Sequence, residues 1–492
     1  MKTFQNFTEN QKTKAFFGAV ILFVSIISFA TEFHKDFPQR TDDTVYLMVA
    51  RTMLEDGEFR NAAMPEEPAF VNLPIVWPAF LGLYWLFFSP GLLLFRIFLY
   101  VLLAGGIWFS FLWIRKYTGD IAALFIACAF ASYHMTVFAA NSFLSEILFV
   151  PLLYAGLYFG SECRNNPFRM FSAGFCFILL ARTRMVGVPF LLVFCVLLLA
   201  EKKYRAPVIL MAAFLLLWFF EWSFYSEISG GEGYLDNISG RYPPLSDLFG
   251  FSAEVMRKYY HNISAFAGSM YANIIFPFFY SLFGMNVLKR AAVLLFFIAG
   301  FSGIGIFWKN HPSVRPFLSA VIISWMPVFN WWREGALFRY LMPFFPFLVL
   351  FPFFSLKLFL VKYSVGRTNF IIVLFVFLIF INQVLNISIN RPQTEEFRRK
   401  REGFAAVHEY LDKTAPENSV VLSPQPWYTY LKTGINSSFF RDVSHYREEE
   451  HYSGYEKIYL ITEKPPSPEL SFDLRPVSLP ENNSGWSLYV SD

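Results

Sequence analysis

The chain has 492 residues, of which 55% are hydrophobic, 20% aromatic and 16% charged, with a net charge of +4. A soluble domain carries about 25% charged residues, so this balance, with apolar runs recurring at span length, excludes an ordinary soluble enzyme and indicates a polytopic α-helical membrane protein. There is no basic stripe and no nucleic-acid-binding motif, and Cys128, Cys163, Cys176 and Cys195 form no CxxC pair, so neither a disulfide framework nor a zinc knuckle is implied.

In chain order, the first apolar run, 15–31, reads as a retained span, because it lacks a small-residue cleavage site. Further spans are predicted near 91–114, 120–140, 143–160, 168–181, 185–200, 206–222, 291–308, 316–332, 341–358 and 368–388, about eleven in all. Lys12 and Lys14, Arg115 and Lys116, Arg164 and Arg169, Lys202 and Lys203, Lys309 and Arg315, and Lys357 and Lys362 mark alternate loops. Positive residues accumulate on the cytoplasmic side, which places the N-terminus inside and the segment after an odd number of spans outside. Large outer loops are expected at 32–90 and 223–290. Within them, 75–89, which carries Pro78, and 264–288 read as interfacial or re-entrant helices rather than crossings.

Residues 1–391 thus form the membrane domain, and 392–492 a small extracytoplasmic α/β domain. In the latter, EEFRRKREGFAAVHEYLDKT has one apolar helical face, and NSVVLS, KIYLIT and WSLYVS read as strands.

The chemistry-bearing residues gather on the outer side. RTDDTVYLMVARTML opens an amphipathic helix with Asp42 and Asp43, and Asp42, Tyr46 and Ala50 share one face. Either Asp by itself is accounted for as a helix cap. As a pair near lipid, their ionised forms are disfavoured by repulsion and desolvation, which suits one of them to accept a proton. Glu146, in SFLSEILF, stands at the outer end of a span, where an ionisable group is costly unless it functions or reaches water. Arg182 and Arg184 occupy a short outer turn, and Arg333, Arg339 and Tyr340 lie in WWREGALFRYLMPFFP. Guanidinium groups pair with phosphate, and interfacial anchoring is the plainer role for any one of them. Carboxylates and guanidiniums converging on one membrane face suit transfer chemistry on a lipid phosphate.

In this order the motifs resemble the GT-C superfamily of polyprenyl-phosphate-sugar-dependent glycosyltransferases. The bacterial branch with lipid A aminoarabinose transferases, protein mannosyltransferases and Rgt-type lipopolysaccharide transferases is the nearest likeness. The acidic pair with its Tyr and Ala matches DDTVYLMVA, the Pro-containing helix NLPIVWPAFLGLYW, the later acid SFLSEILF, the short turn LLARTR and the late element RYLMPFFP. Where the family often has Lys or His before the proline of the second outer helix, this chain has Asn72 and Leu73.

The resemblance implies a GT-C fold and an inverting hexosyl- or pentosyltransferase at the outer face of the cytoplasmic (inner) membrane. Its partners would be a polyprenyl-phosphate-linked sugar and a hydroxyl acceptor on a cell-envelope glycolipid, polysaccharide or protein. It implies Asp42 as the base, Asp43 and Glu146 as groups that tune it or position the acceptor, Tyr46 as acceptor-positioning, and Arg182, Arg184, Arg333, Arg339 and Tyr340 as the donor phosphate site. No cofactor is required, and no metal-binding pattern occurs in the first loop. The alternative is a membrane transporter or lipid-linked-sugar flippase, for which inverted repeats and broken helices at mid-membrane are the expected marks. A non-catalytic scaffold would leave the acidic pair and arginine clusters unexplained.

Overall fold

A computed structural model describes residues 2–31, 41–55, 57, 74–88, 92–163, 166–228, 257, 260–263, 266, 271–277, 287–331, 334–363, 367–416, 418–424, 426–439, 455–462, 474–479 and 486–491. The side chains of Thr41, Asp42 and Asp43 and the whole of Arg333, Asn72 and Leu73 lie outside the described set.

The described helices follow the predicted apolar runs. They are α1 (Lys2–Ala30), α2 (Thr41–Glu55), α3 (Val76–Phe88), α4 (Leu92–Thr118), α5 (Asp120–Ala131), α6 (His134–Ala140), α7 (Glu146–Gly160), α8 (Pro167–Thr183), α9 (Val188–Ala200), α10 (Arg205–Ile228), α11 (Tyr271–Ile275), α12 (Val287–Asn310), α13 (Arg315–Trp331), α14 (Glu334–Leu341), α15 (Phe345–Lys362) and α16 (Thr368–Thr414).

By length and composition, four described stretches suffice to cross a membrane: Lys12–Ala30, Leu93–Thr118, Phe338–Lys362 and Thr368–Ser388. The stretch predicted as one span at 120–140 is instead two helices, α5 and α6, bent by 60°. At the break, Ser132 Oγ lies 3.0 Å from Ser28 Oγ of α1, so a polar group at the interruption is satisfied by a neighbouring helix, as a break in an apolar setting requires. The described residues of the apolar stretch 264–288 include the five-residue α11, whose Ile274 and Ile275 carbonyls accept hydrogen bonds from Gln383 Nε2 of α16 at 2.7 and 3.1 Å.

The helices pack through aromatic and small residues. A Cβ at Gly303 of α12 would overlap the Phe351 carbonyl oxygen of α15, so only glycine permits that approach. Cross-ties fix the helices. Asn141 Nδ2 donates to the Phe29 carbonyl at 2.8 Å, Trp77 Nε1 to the Phe143 carbonyl at 2.7 Å, and the Tyr154 hydroxyl to the Pro343 carbonyl at 2.8 Å. These ties hold the segment 141–146, on which the candidate site is built.

The tail expected to begin a separate domain at 392 starts inside a helix that does not stop. α16 runs 47 residues from the last predicted span into the tail. Its final turns cover a five-stranded sheet in the order β2-β1-β3-β5-β4, with β1 (Ser419–Ser423), β2 (Asn436–Phe439), β3 (Lys457–Thr462), β4 (Leu474–Val477) and β5 (Ser487–Ser491). β1 is parallel to β2 and β3, and β5 is antiparallel to β3 and β4. The three predicted strands are β1, β3 and β5. The two that pattern missed are the edges: β2 is the polar NSSF, and β4 carries Pro476, which an edge tolerates.

Helix α17 (Pro426–Thr433) connects β1 to β2. Phe404, Val407 and Leu411 of α16 pack with Tyr428 of α17 and with Val421, Ile461 and Leu488 of the sheet. Buried among them, His408 Nδ1 lies 2.6 Å from the Phe404 carbonyl and Nε2 lies 2.8 Å from Thr429 Oγ1. A carbonyl only accepts, so Nδ1 carries the proton of the neutral ring, and Nε2 lies against the Thr429 hydroxyl, which also reaches Ser423 Oγ at 2.9 Å.

Burial, aided by the Lys432 cation and opposed by the Phe404 carbonyl, lowers the His408 pKa from 6.5 to about 4. Below about pH 6.5 the unfolded chain takes up a proton that the folded ring refuses, so this contribution to stability is full above that pH and is lost as pH falls toward about 4. The loss is on the order of 3 kcal/mol. Thermal unfolding of the full chain in detergent should therefore show the C-terminal unit melting earlier at pH 4.5 than at pH 7.5, and His408→Gln should flatten that dependence.

Candidate functional site

The site is built from three chain segments brought together at the start of α7. Glu146 is its first residue, where a carboxylate is favoured by the helix dipole. The side chain is 0% exposed. Arg184 Nη1 forms an ion pair with Glu146 Oε1, and Arg339 Nε donates to the same oxygen at 2.7 Å. Arg184 reaches it because α8 ends at Thr183 and the next residue turns to extended backbone (φ −156°, ψ 140°). Arg339 comes from α14, 193 positions further along the chain than Glu146.

The Tyr340 ring lies under both cations, 4.6 Å from the Arg184 guanidinium carbon and 5.6 Å from that of Arg339, within cation–π range. Tyr46 of α2 completes the group, its hydroxyl donating to Ser145 Oγ at 3.5 Å. Burial pushes the Tyr46 phenol up to about 12, so it remains a hydrogen-bond donor rather than a base.

Among the described side chains, two guanidiniums share one buried carboxylate. Glu146 Oε2 has no hydrogen-bond partner among the described residues.

Of the residues singled out in the sequence, the structure brings together Glu146, Arg184, Arg339, Tyr340 and Tyr46. Arg182 is directed elsewhere, its guanidinium 5.6 Å from the Phe214 ring of α10, because it is still on α8 whereas Arg184 lies past the helix end. Asp42 and Asp43 occupy the first turn of α2, one turn before Tyr46, with their side chains outside the described set. Arg333 is outside it altogether. Pattern reading passed over Arg96, a buried guanidinium near the start of α4 whose carbon lies 5.9 Å from the Phe143 ring. An arginine inside an apolar span was the signal that marked it. Ser145 was likewise missed, since nothing in its sequence setting separates it from other serines. Among the described residues no three His, Cys, Asp or Glu side chains are grouped so as to hold a metal ion.

No known family profile and no curated protein sequence matches the chain. Solved structures do. ArnT from Cupriavidus metallidurans bound to undecaprenyl phosphate superposes with a TM-score of 0.53 at 15% identity over 97% of each chain. The GT-C fold is the fold of this chain. The apo form of the same ArnT gives a TM-score of 0.50 at 13% identity, covering 96% of this chain and 97% of that one. The Archaeoglobus fulgidus oligosaccharyltransferase, in complex with zinc and sulfate, gives 0.50 at 10% identity, covering 89% of this chain and 67% of its own. Within this GT-C fold, the acidic helix α2, α3, the end of α8 and α14 meet at the segment that leads into α7.

Deleting one member of a buried ion group leaves the others uncompensated. Glu146→Ala should accordingly destabilise the protein by about 3–5 kcal/mol. Thermal unfolding in detergent checks this, and an exposed control, Glu409→Ala, should shift the midpoint little, because its Lys413 partner is a surface pair.

Proposed function

We propose that the chain is an inverting glycosyltransferase that moves a sugar from a polyprenyl phosphate to an acceptor hydroxyl at the outer face of the cytoplasmic membrane. The acceptor class is a cell-envelope glycolipid, polysaccharide or protein. The observation that carries the reading is the buried pair of guanidiniums held by one carboxylate, beside the helix whose first turn bears Asp42 and Asp43.

Asp42 takes the proton of the acceptor hydroxyl. The hydroxyl oxygen bonds to the anomeric carbon from the face opposite the phosphate. The anomeric carbon–oxygen bond to the phosphate breaks, and the polyprenyl phosphate leaves with the electron pair, so the sugar inverts.

The charge of the cluster fits that step. A phosphodiester donor carries one negative charge, and the released monoester carries about 1.5–2. Guanidiniums already fixed in a buried site thus interact more strongly with the leaving group than with the bound donor, which is the condition for accelerating a reaction rather than merely binding its substrate. Glu146 serves as a positioning residue that fixes Arg184 and Arg339 without touching the sugar, and Tyr340 supports both cations from beneath. Undecaprenyl phosphate bound to ArnT supports a lipid of that class as the donor's carrier.

Two variants test the assignment on purified protein in lipid nanodiscs supplied with undecaprenyl-phosphate-linked hexoses and pentoses and a membrane extract as acceptor. Asp42→Asn keeps the size and capping capacity and loses the base, so release of undecaprenyl phosphate should fall 10²–10⁴-fold with folding intact. Wild-type turnover by Asp42→Asn returns that residue to a helix cap.

Arg339→Ala should cost about 10- to 100-fold in donor use, the value of one charged hydrogen bond. Arg315→Ala should cost almost nothing, since Arg315 Nε is occupied by the Trp308 carbonyl at 2.8 Å on the side read as cytoplasmic. Passage of the lipid-linked sugar across the bilayer with no sugar transferred would favour the flippase reading.

A further inference from the structure

We infer that the C-terminal unit is a working part of the active site: through Tyr430 and Leu431 of α17 it clamps the far end of α2 and so sets the position of Asp42. The inference rests on the reading of Asp42 as the base.

Helix α17 has two faces. Tyr428 is buried in the core of its own unit, stacked on Phe404 at 5.5 Å, and Thr429 is tied to His408 of α16. One residue on, the Tyr430 ring lies 6.0 Å from the guanidinium carbon of Arg51 in α2. Leu431 packs against the apolar core of the membrane domain rather than that of its own unit. The same Arg51 is bridged to Glu55 one turn later, with its Nε 2.8 and 3.0 Å from the two carboxylate oxygens, which orients the guanidinium. A continuous route of contacts therefore runs from the span end of α16 through His408, α17 and Arg51 into α2.

On its other side α2 rests on α3, where a Cβ at Gly82 would sit 3.3 Å from the Ala50 carbonyl oxygen. Both supports, Gly82 and Tyr430, act near residues 50–51, and Tyr46, nearer Asp42, adds a 3.5 Å hydrogen bond to Ser145. From Arg51 to Asp42 the helix rises about 13 Å. A tilt of about 4° at the clamp therefore moves the Asp42 backbone by roughly 1 Å, and a displacement of that size in a catalytic group costs up to about 10²-fold. Arg184, just past the end of α8, and Arg339 of α14 are carried by elements other than α2.

The test compares Tyr430→Ala, Leu431→Ala and Tyr430→Phe in full-length protein in nanodiscs, using the undecaprenyl-phosphate sugar that the wild type turns over and, without any substrate, amide hydrogen exchange. The expected result is a 10- to 100-fold fall in kcat for the two alanine variants, with KM for the donor within about twofold of wild type. Amides of 45–55 should exchange faster while those of α15 are unchanged. Tyr430→Phe, which keeps the ring over Arg51, should behave as wild type. Unaltered exchange in α2 overturns the inference. So does a joint loss of kcat and KM with early melting of the C-terminal unit, the mark of a merely structural role. Asp42→Asn run alongside separates the two readings. If it turns over normally, the catalytic reading fails and this one with it. If it is inactive while Tyr430→Ala is wild type, only the clamp fails.

Discussion

A carboxylate with no exposure at the start of a helix is tolerable only with cations against it, and Glu146 has two. An unpaired charge in such surroundings costs several kcal/mol, so α7, the end of α8 and α14 are bound to one another by a requirement stronger than apolar packing alone. The cross-ties of Trp77, Asn141 and Tyr154 cluster around the same level and keep the 141–146 segment in place. The proposed phosphate site uses the same two guanidiniums, so structural support and the proposed binding role coincide in one arrangement.

The second organising feature is the continuity of α16. A helix of 47 residues is about 70 Å long, more than twice the roughly 30 Å of a hydrocarbon core, so its later turns carry the sheet beyond the last span as a rigid extension. That rigidity lets a small α/β unit apply a defined contact to α2 instead of hanging from a linker. Polar burial continues this rule inside the unit, where His408 is held neutral between a backbone carbonyl and Thr429, making the joint between α16 and α17 directional.

The predicted apolar runs appear as helices, though the one at 120–140 is broken in two, and the acidic helix and three of the five strands are present as well, because each has a local cause: apolar length, a 3.6-residue face, or a run of β-branched residues. What pattern reading missed has equally local reasons. The break at Ser132 and Tyr133 is stabilised by Ser28 of another helix, the strand at Leu474–Val477 is an edge containing proline, and the helix through residue 391 continues where composition changes. Arg182 and Arg184, two residues apart, look equivalent in sequence; the end of α8 between them sends one to Phe214 and the other to Glu146.

By itself, then, the sequence determined that the chain is a polytopic helical membrane protein with a small terminal α/β unit, and it singled out the charged residues expected to act together. Those properties depend on length, hydrophobicity and the asymmetry of Lys and Arg, all of which are additive along the chain. Only the tertiary structure decided that Glu146 grips two arginines, that Tyr340 lies beneath both, that Arg182 stands apart and that Tyr430 reaches Arg51. These are pairings between residues tens to hundreds of positions apart. Each depends on where a helix ends and on which of its faces meets a neighbour, and single-residue properties carry no record of that.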